Sequence, residues 1–252
     1  MGETLTGSVL VLLTWSLVVV LVSALGLPLA ASGAGDRREA LRRSLWWGTG
    51  ILVTAVLLLS LRYPLGSLPV LLIIVGLAVV MGAVGLRRLG HLRPATRHDS
   101  MLVWLVTASL GFAITYLALA AMGPVTNYDS GLYHLGAIRY QHEFGLIPGL
   151  ANLYFPLGYA NSLTSLSAFF GASPWELNGF RLVNGALLVL FAIDLISRIR
   201  SRLWLPGTML SVGSLVFVWI PLSALSDYWV TSPSSDSAIL ILTTVSVAYL
   251  AD

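Results

Sequence analysis

The sequence predicts an all-α, polytopic transmembrane helix bundle of about seven spans, and three observations carry that prediction. Of 252 residues, 57% are apolar and only 10% are charged, against about 45–50% apolar and about 25% charged in soluble domains. The mean hydropathy is +0.87, so one globular core cannot hide the apolar side chains. The apolar residues also fall into runs close to a bilayer crossing, about 20 residues for about 30 Å of hydrocarbon.

The stretches are Thr6–Ala31, Leu45–Leu61, Leu65–Leu86, Met101–Met122, Trp175–Ser197, Leu203–Ala224 and Asp236–Ala251. The first lacks a basic leader, is longer than a signal-peptide core and precedes further spans, so it reads as a retained helix. Gly158–Gly171 is apolar but short, about 21 Å as a helix, and carries Asn161, Ser162, Thr164, Ser165 and Ser167. It reads as an interfacial or re-entrant helix rather than a span. The last stretch ends with the chain at Asp252, which predicts further spans beyond it. The three-span region 1–100 is read apart from a module over 101–252, whose long connecting segment is 123–174.

All 14 basic residues are arginine, and cysteine is absent. The lack of cysteine excludes disulfides, thiolate metal sites and cysteine nucleophiles. A pI near 9.4 would suit nucleic acid, but the arginines cluster between apolar runs, as at a membrane surface, so no nucleic-acid partner is expected. Arg37, Arg38, Arg42 and Arg43 follow the first span, Arg87, Arg88, Arg93 and Arg97 the third, and Arg198, Arg200 and Arg202 the fifth. Eleven of the 14 arginines therefore occupy alternate loops, which the positive-inside rule makes cytoplasmic. Segments 123–174 and 225–235 then face outward from a plasma or inner membrane.

Segment 123–174 holds the candidate chemistry. Asp129, in Asn127-Tyr128-Asp129-Ser130-Gly131-Leu132-Tyr133-His134, is either a helix N-cap or a general base beside a low-dielectric surface. His134 and His142 are eight residues apart, a spacing that does not suit a helical metal pair. His134 reads either as a partner of Asp129 or of a phosphate, or as an interfacial polar residue, the reading given to His142 and Glu143. Arg181 falls about 9 Å into the fifth stretch, where it must snorkel, pair with an acid or meet an anionic ligand. Asp236, after Ser232-Pro233-Ser234-Ser235, carries a capping signature with an acid in the first turn. Asp227-Tyr228-Trp229 looks like an aromatic anchor beside an acid. Asp194 and Arg198 form an ordinary helical pair at the inner interface. No phosphate loop, G-x-S-x-G elbow or H-E-x-x-H motif is present, so soluble-nucleotide chemistry has no visible site.

An apolar span followed by an outer segment with Tyr128-Asp129, aromatic residues and histidines resembles the membrane glycosyltransferases of the C type (GT-C). Asn127-Tyr128-Asp129 sits where that superfamily carries its essential acid. Gly158–Gly171 resembles one of its juxtamembrane helices, and Phe180-Arg181-Leu182-Val183-Asn184 is similar to the arginine-containing start of the next span in bacterial members. The resemblance covers residues 101–252. It implies transfer of a sugar from a polyprenyl-phosphate donor to an extracytoplasmic glycan or protein acceptor. In that reading Asp129 is the general base, and Tyr128, His134, Arg139, Arg181 and Asp236 bind substrate. The acid is single, so no metal ligands are assigned; no cofactor is assigned with certainty, and a divalent-metal requirement stays open. The alternatives are a transporter or flippase for a lipid-linked or anionic solute, and a non-catalytic subunit of an envelope complex.

Overall fold

An apolar chain must satisfy its backbone N–H and C=O groups within its own segments, which favours helices throughout. The computed structural model describes residues 2–95, 100–158, 161–201, 205–216 and 230–251. Among these residues all named elements are helical. The long helices are α1 (Gly2–Ser32), α2 (Arg37–Ser60), α3 (Leu68–Gly90), α4 (Met101–Ala120) and α7 (Phe180–Ser201). These five are long and apolar enough to cross a membrane. Shorter helices are α5 (Leu135–Phe144), α6 (Ser162–Phe170), α8 (Pro206–Ser214) and α9 (Asp236–Ala251), the last apolar but only 16 residues long. Of the sixth apolar stretch, residues 205–216 are described, and they contain α8. Leu203 and Ala224, Asp227-Tyr228-Trp229, Arg97, Arg202 and Asp252 lie outside the described residues.

Two boundaries differ from the expectation. Helix α2 begins at Arg37, eight residues before Leu45, because Asp36 caps it: its carboxylate accepts from Glu39 N at 2.9 Å. Glu39 Oε2 in turn accepts from Gly35 N, a reciprocal cap of the kind that starts helices. Helix α7 begins at Phe180 rather than Trp175. The intervening turn has positive φ at Glu176 and Leu177, a backbone that cannot continue a helix.

Helix α1 packs against α2, α3, α4 and α7. It crosses α2 at very short range: a Cβ on Gly48 would lie 1.7 Å from the Val22 carbonyl oxygen, and one on Gly26 2.0 Å from that of Ser44. Small residues let helix backbones approach without a hydrophobic drive between them. Trp15 of α1 is the largest fully buried side chain among the described residues. Its indole N–H donates to the Leu182 carbonyl at 2.9 Å, and its ring occupies the space a side chain at Gly185 would fill. The core built on these contacts runs unbroken from α1 to α9, across residue 100.

Helix α6 has nine residues and reaches about 14 Å, too little to cross a bilayer. It is not a surface helix either: Leu163 through Phe169 are all buried, and it packs on α2, α5 and α7. Ser165 Oγ donates to Gln141 Oε1 at 2.6 Å, and His142 Nδ1 lies 2.8 Å from the Ala168 carbonyl. His142 is therefore a tie between α5 and α6 rather than an interfacial residue. Glu143 pairs with Arg139.

At the arginine-rich end, Asp194 is fully buried. It accepts from Arg198 Nε at 2.7 Å, Tyr249 Oη at 3.2 Å and Trp46 Nε1 at 3.3 Å. Arg42 and Arg198 each stack on the Tyr249 ring at 4.6 Å. The expected Asp194–Arg198 pair exists, but as part of a buried junction of α2, α7 and α9.

Gly48→Ala is expected to destabilise the protein by about 1–3 kcal/mol through overpacking, read as a lower melting temperature in detergent. Gly50→Ala, on the same helix with open space around its Cα, should be neutral or slightly stabilising. Equal melting of the two variants would refute the close crossing.

Candidate functional site

The polar residues at the other end are gathered by α7 and by the turn that leads into α5. After α4, Asn127 bends the chain: its Oδ1 accepts from Asp129 N at 2.9 Å and from Ser130 N at 3.3 Å. Asn127 thus takes the capping position for which Asp129 is a candidate in the sequence. The Asp129 side chain makes no capping bond and is exposed. Tyr128 beside it is 79% exposed, so both side chains are accessible.

Ser130–His134 then forms a π-helical turn, a feature frequent at functional sites. The wider turn swings His134 into the protein, where it is 7% exposed. Tyr133 meets its ring edge-on, with centroids 4.2 Å apart. His134 Nδ1 is buried and has no hydrogen-bond partner among the described residues. Burial lowers the His134 pKa below its ordinary value, while the charges of Asp129 and Asp236 act against that shift. Both carboxylates therefore lie close enough to feel the imidazole, and the ring favours its neutral form.

Asp236 comes from the far end of the sequence. It opens α9 and is exposed, and its Oδ2 accepts from Ser234 Oγ at 2.8 Å. Asn184 holds this segment in place. The Asn184 side chain is buried, and its Nδ2 donates to the Ser232 carbonyl at 2.9 Å and the Ser234 carbonyl at 3.1 Å. Ser232 Oγ lies 3.4 Å from Ser130 Oγ, joining the α9 approach to the π turn. Asn184 and these serines are not among the site residues the sequence singles out. The signal for Asn184 is a lone amide in an apolar span, which must find partners.

The two arginines fall elsewhere. Arg181 is the second residue of α7, so its depth is less than the sequence implies. Its Nη1 donates to the carbonyls of Ala121 and Gly123, at 2.9 and 2.6 Å, satisfying carbonyls at and just beyond the C-terminal end of α4. Neither snorkelling nor a carboxylate partner is needed to account for it. Arg139 is exposed and paired to Glu143 at 2.9 Å, one helical turn on. Among the described residues no three histidine, aspartate or glutamate side chains gather in a metal-binding arrangement.

Residues 9–252 match a family model described as a domain of unknown function (DUF8201), and the chain belongs to that family. No curated protein and no solved structure matches the chain.

The buried, neutral His134 makes a pH prediction. Its pKa is lowered on folding, so below pH about 6.5 the unfolded chain binds the proton that the folded chain resists. The stability it contributes is present above that pH and is lost as pH falls. Melting curves from pH about 7.5 to about 5, a window that brackets the ordinary histidine value, should drop more for the native protein than for His134→Gln. Parallel curves would refute the assignment.

Proposed function

We propose that the protein is an integral membrane glycosyltransferase that moves a sugar from a polyprenyl-phosphate carrier to an acceptor outside the cytoplasm, with Asp129 as general base. The observation that carries the reading is the free Asp129 carboxylate. Asn127 does the capping, which leaves Asp129 exposed beside a buried histidine. The arginine clusters at the opposite end support a cytoplasmic side there, and on a seven-span reading of the sequence Asp129 belongs to the outer face.

In the proposed reaction Asp129 takes the proton of an acceptor hydroxyl as that oxygen attacks the anomeric carbon. The new glycosidic bond forms while the bond from that carbon to the carrier phosphate oxygen breaks, and the phosphate leaves with the electron pair. Charge growing on the phosphate needs nearby donors. Neutral His134 supplies one N–H, and Arg139 is the exposed cation on the same segment. Tyr128 and Asp236 border the acceptor side. Arg181 acts as a positioning residue: by holding the end of α4 it sets where Asn127 begins its turn.

A lipid-linked donor also needs an apolar track. A cavity of about 690 Å³ runs between α1 and α3, from Leu71 to Leu86, and ends against Phe169, Phe170 and Trp175. It suits a carrier chain lying alongside the bundle. The transporter reading asks for accessible charge near mid-bilayer, whereas Asp194, about 21 Å along α7, is fully buried and bonded to Arg198, Tyr249 and Trp46.

Asp129→Asn is expected to abolish transfer, by at least about 100-fold as for a lost general base, while the protein accumulates normally. Activity is read as turnover of a radiolabelled lipid-linked sugar in membranes. Arg181→Gln should instead lower the melting temperature and leave residual transfer. Unchanged transfer by Asp129→Asn would overturn the reading, and anion flux in liposomes that survives Asp129→Asn would favour the transporter.

A further inference from the structure

The arginine-rich end contains a second cavity, of about 440 Å³, between α1, α2 and α7. Helix α1 contributes Val19 and Ser23, α7 contributes Ile193 and Ser197, and α2 contributes Leu45 together with Arg38 and Arg42. Val19, Leu45 and Ile193 lie deeper in the bundle and Ser23, Ser197, Arg38 and Arg42 nearer the arginine-rich end, where Leu41 and Ala95 also line the cavity. Arg37 completes the cationic rim. The cavity is thus apolar at its floor and basic at its mouth.

Among the described residues no acid lines this cavity. The acids described at this end have other commitments. Asp36 caps α2, Glu39 pairs with Arg43, and Asp194 takes Arg198 at 2.7 Å and Arg42 at 3.5 Å. Arg37 donates to the main-chain carbonyls of Gly90 and Leu92, and Arg38 to that of Arg200, bonds that fix where these guanidiniums sit. Arg42 pairs with Asp194 at 3.5 Å and stacks on the Tyr249 ring, which fixes its guanidinium at the cavity wall.

We infer that this cavity binds a phosphate ester, held by Arg37, Arg38 and Arg42 with Ser23 and Ser197 as neutral partners. Its apolar floor of Val19, Leu45 and Ile193 accepts the first methylenes of an attached chain. The chemistry is that of an anionic lipid headgroup, for which basic pockets between helices at the cytoplasmic side are suited; a free phosphate has the same head without the tail. The site lies at the end of the bundle remote from Asp129. It rests on the cavity and its charge alone, independently of the glycosyltransferase reading.

The test uses the full chain in a neutral detergent and native mass spectrometry, with phosphatidylglycerol, phosphatidylcholine and inorganic phosphate as probes. Phosphatidylglycerol is expected to bind one per chain at least about tenfold more tightly than phosphatidylcholine, since only the first carries net charge. Arg37→Gln should weaken it about fivefold, the equivalent of about 1 kcal/mol. Arg38→Gln serves as a second variant should Arg37→Gln not fold. Arg87→Gln, exposed at the same end but outside the cavity, should bind as the native protein does. Displacement of the lipid by millimolar inorganic phosphate would identify the head alone as the ligand, and failure to displace it would identify the lipid. Equal binding of the two lipids with no phosphate binding, or equal losses in the Arg37 and Arg87 variants, would overturn the inference.

Discussion

Asn184 is the interaction on which the far end of the molecule depends. Its amide nitrogen donates to two carbonyls, of Ser232 and Ser234, on a segment almost 50 residues later. Buried amides in apolar surroundings must be satisfied, so this pair of bonds specifies where α9 begins. Asp236 and the Ser232–Ser130 contact follow from it. Two residues earlier on α7, the Leu182 carbonyl takes the Trp15 indole N–H. One helical turn therefore anchors α1 on one side and the approach to α9 on the other, and the elements that bear His134 and Asp236 are referred to the same frame.

Charge is divided between the two ends of the bundle. Arginines crowd one end, where Asp194 is buried among Arg42, Arg198, Trp46 and Tyr249. A buried ion pair carries a desolvation cost that only good geometry and extra hydrogen bonds offset. Here the carboxylate has donors from three helices, so removing it would take from two guanidiniums the carboxylate they share. The other end keeps its carboxylates exposed and a histidine buried, with the nearest arginines occupied. Arg181 faces the end of α4, and Arg139 its own helical neighbour. The two ends thus use the same few charges differently, one to join helices and the other to leave carboxylates accessible.

Much of the helical layout is legible from run length and composition. The five long helices fall where apolar stretches predict them, because a 20-residue apolar run has few other ways to satisfy its backbone. Their starts are less legible. Asp36 and the turn at Glu176–Leu177 move two boundaries by five to eight residues, since caps and turns are decided by local hydrogen bonds that a hydropathy count ignores. The fate of α6 is legible only by half. Its length excludes a span, but its polar residues include serines that bond inward, such as Ser165 to Gln141, so polarity does not mean exposure.

By itself the sequence determined the all-helical character and the arginine asymmetry, and it singled out the segment around Asp129 as the candidate site. Those follow from one-dimensional quantities: apolar run length, charge position and motif spacing. Only the tertiary structure decided that Asn127 rather than Asp129 forms the cap, that His134 is buried through a π turn, and that Arg181 secures α4. It also decided that Asp236, more than 100 residues from Asp129, acts on the same histidine. Hydrogen-bond acceptors compete for each donor in three dimensions, and the winner depends on which helices lie beside one another. Spacing along the chain records which groups could pair, whereas packing selects the pairs that form.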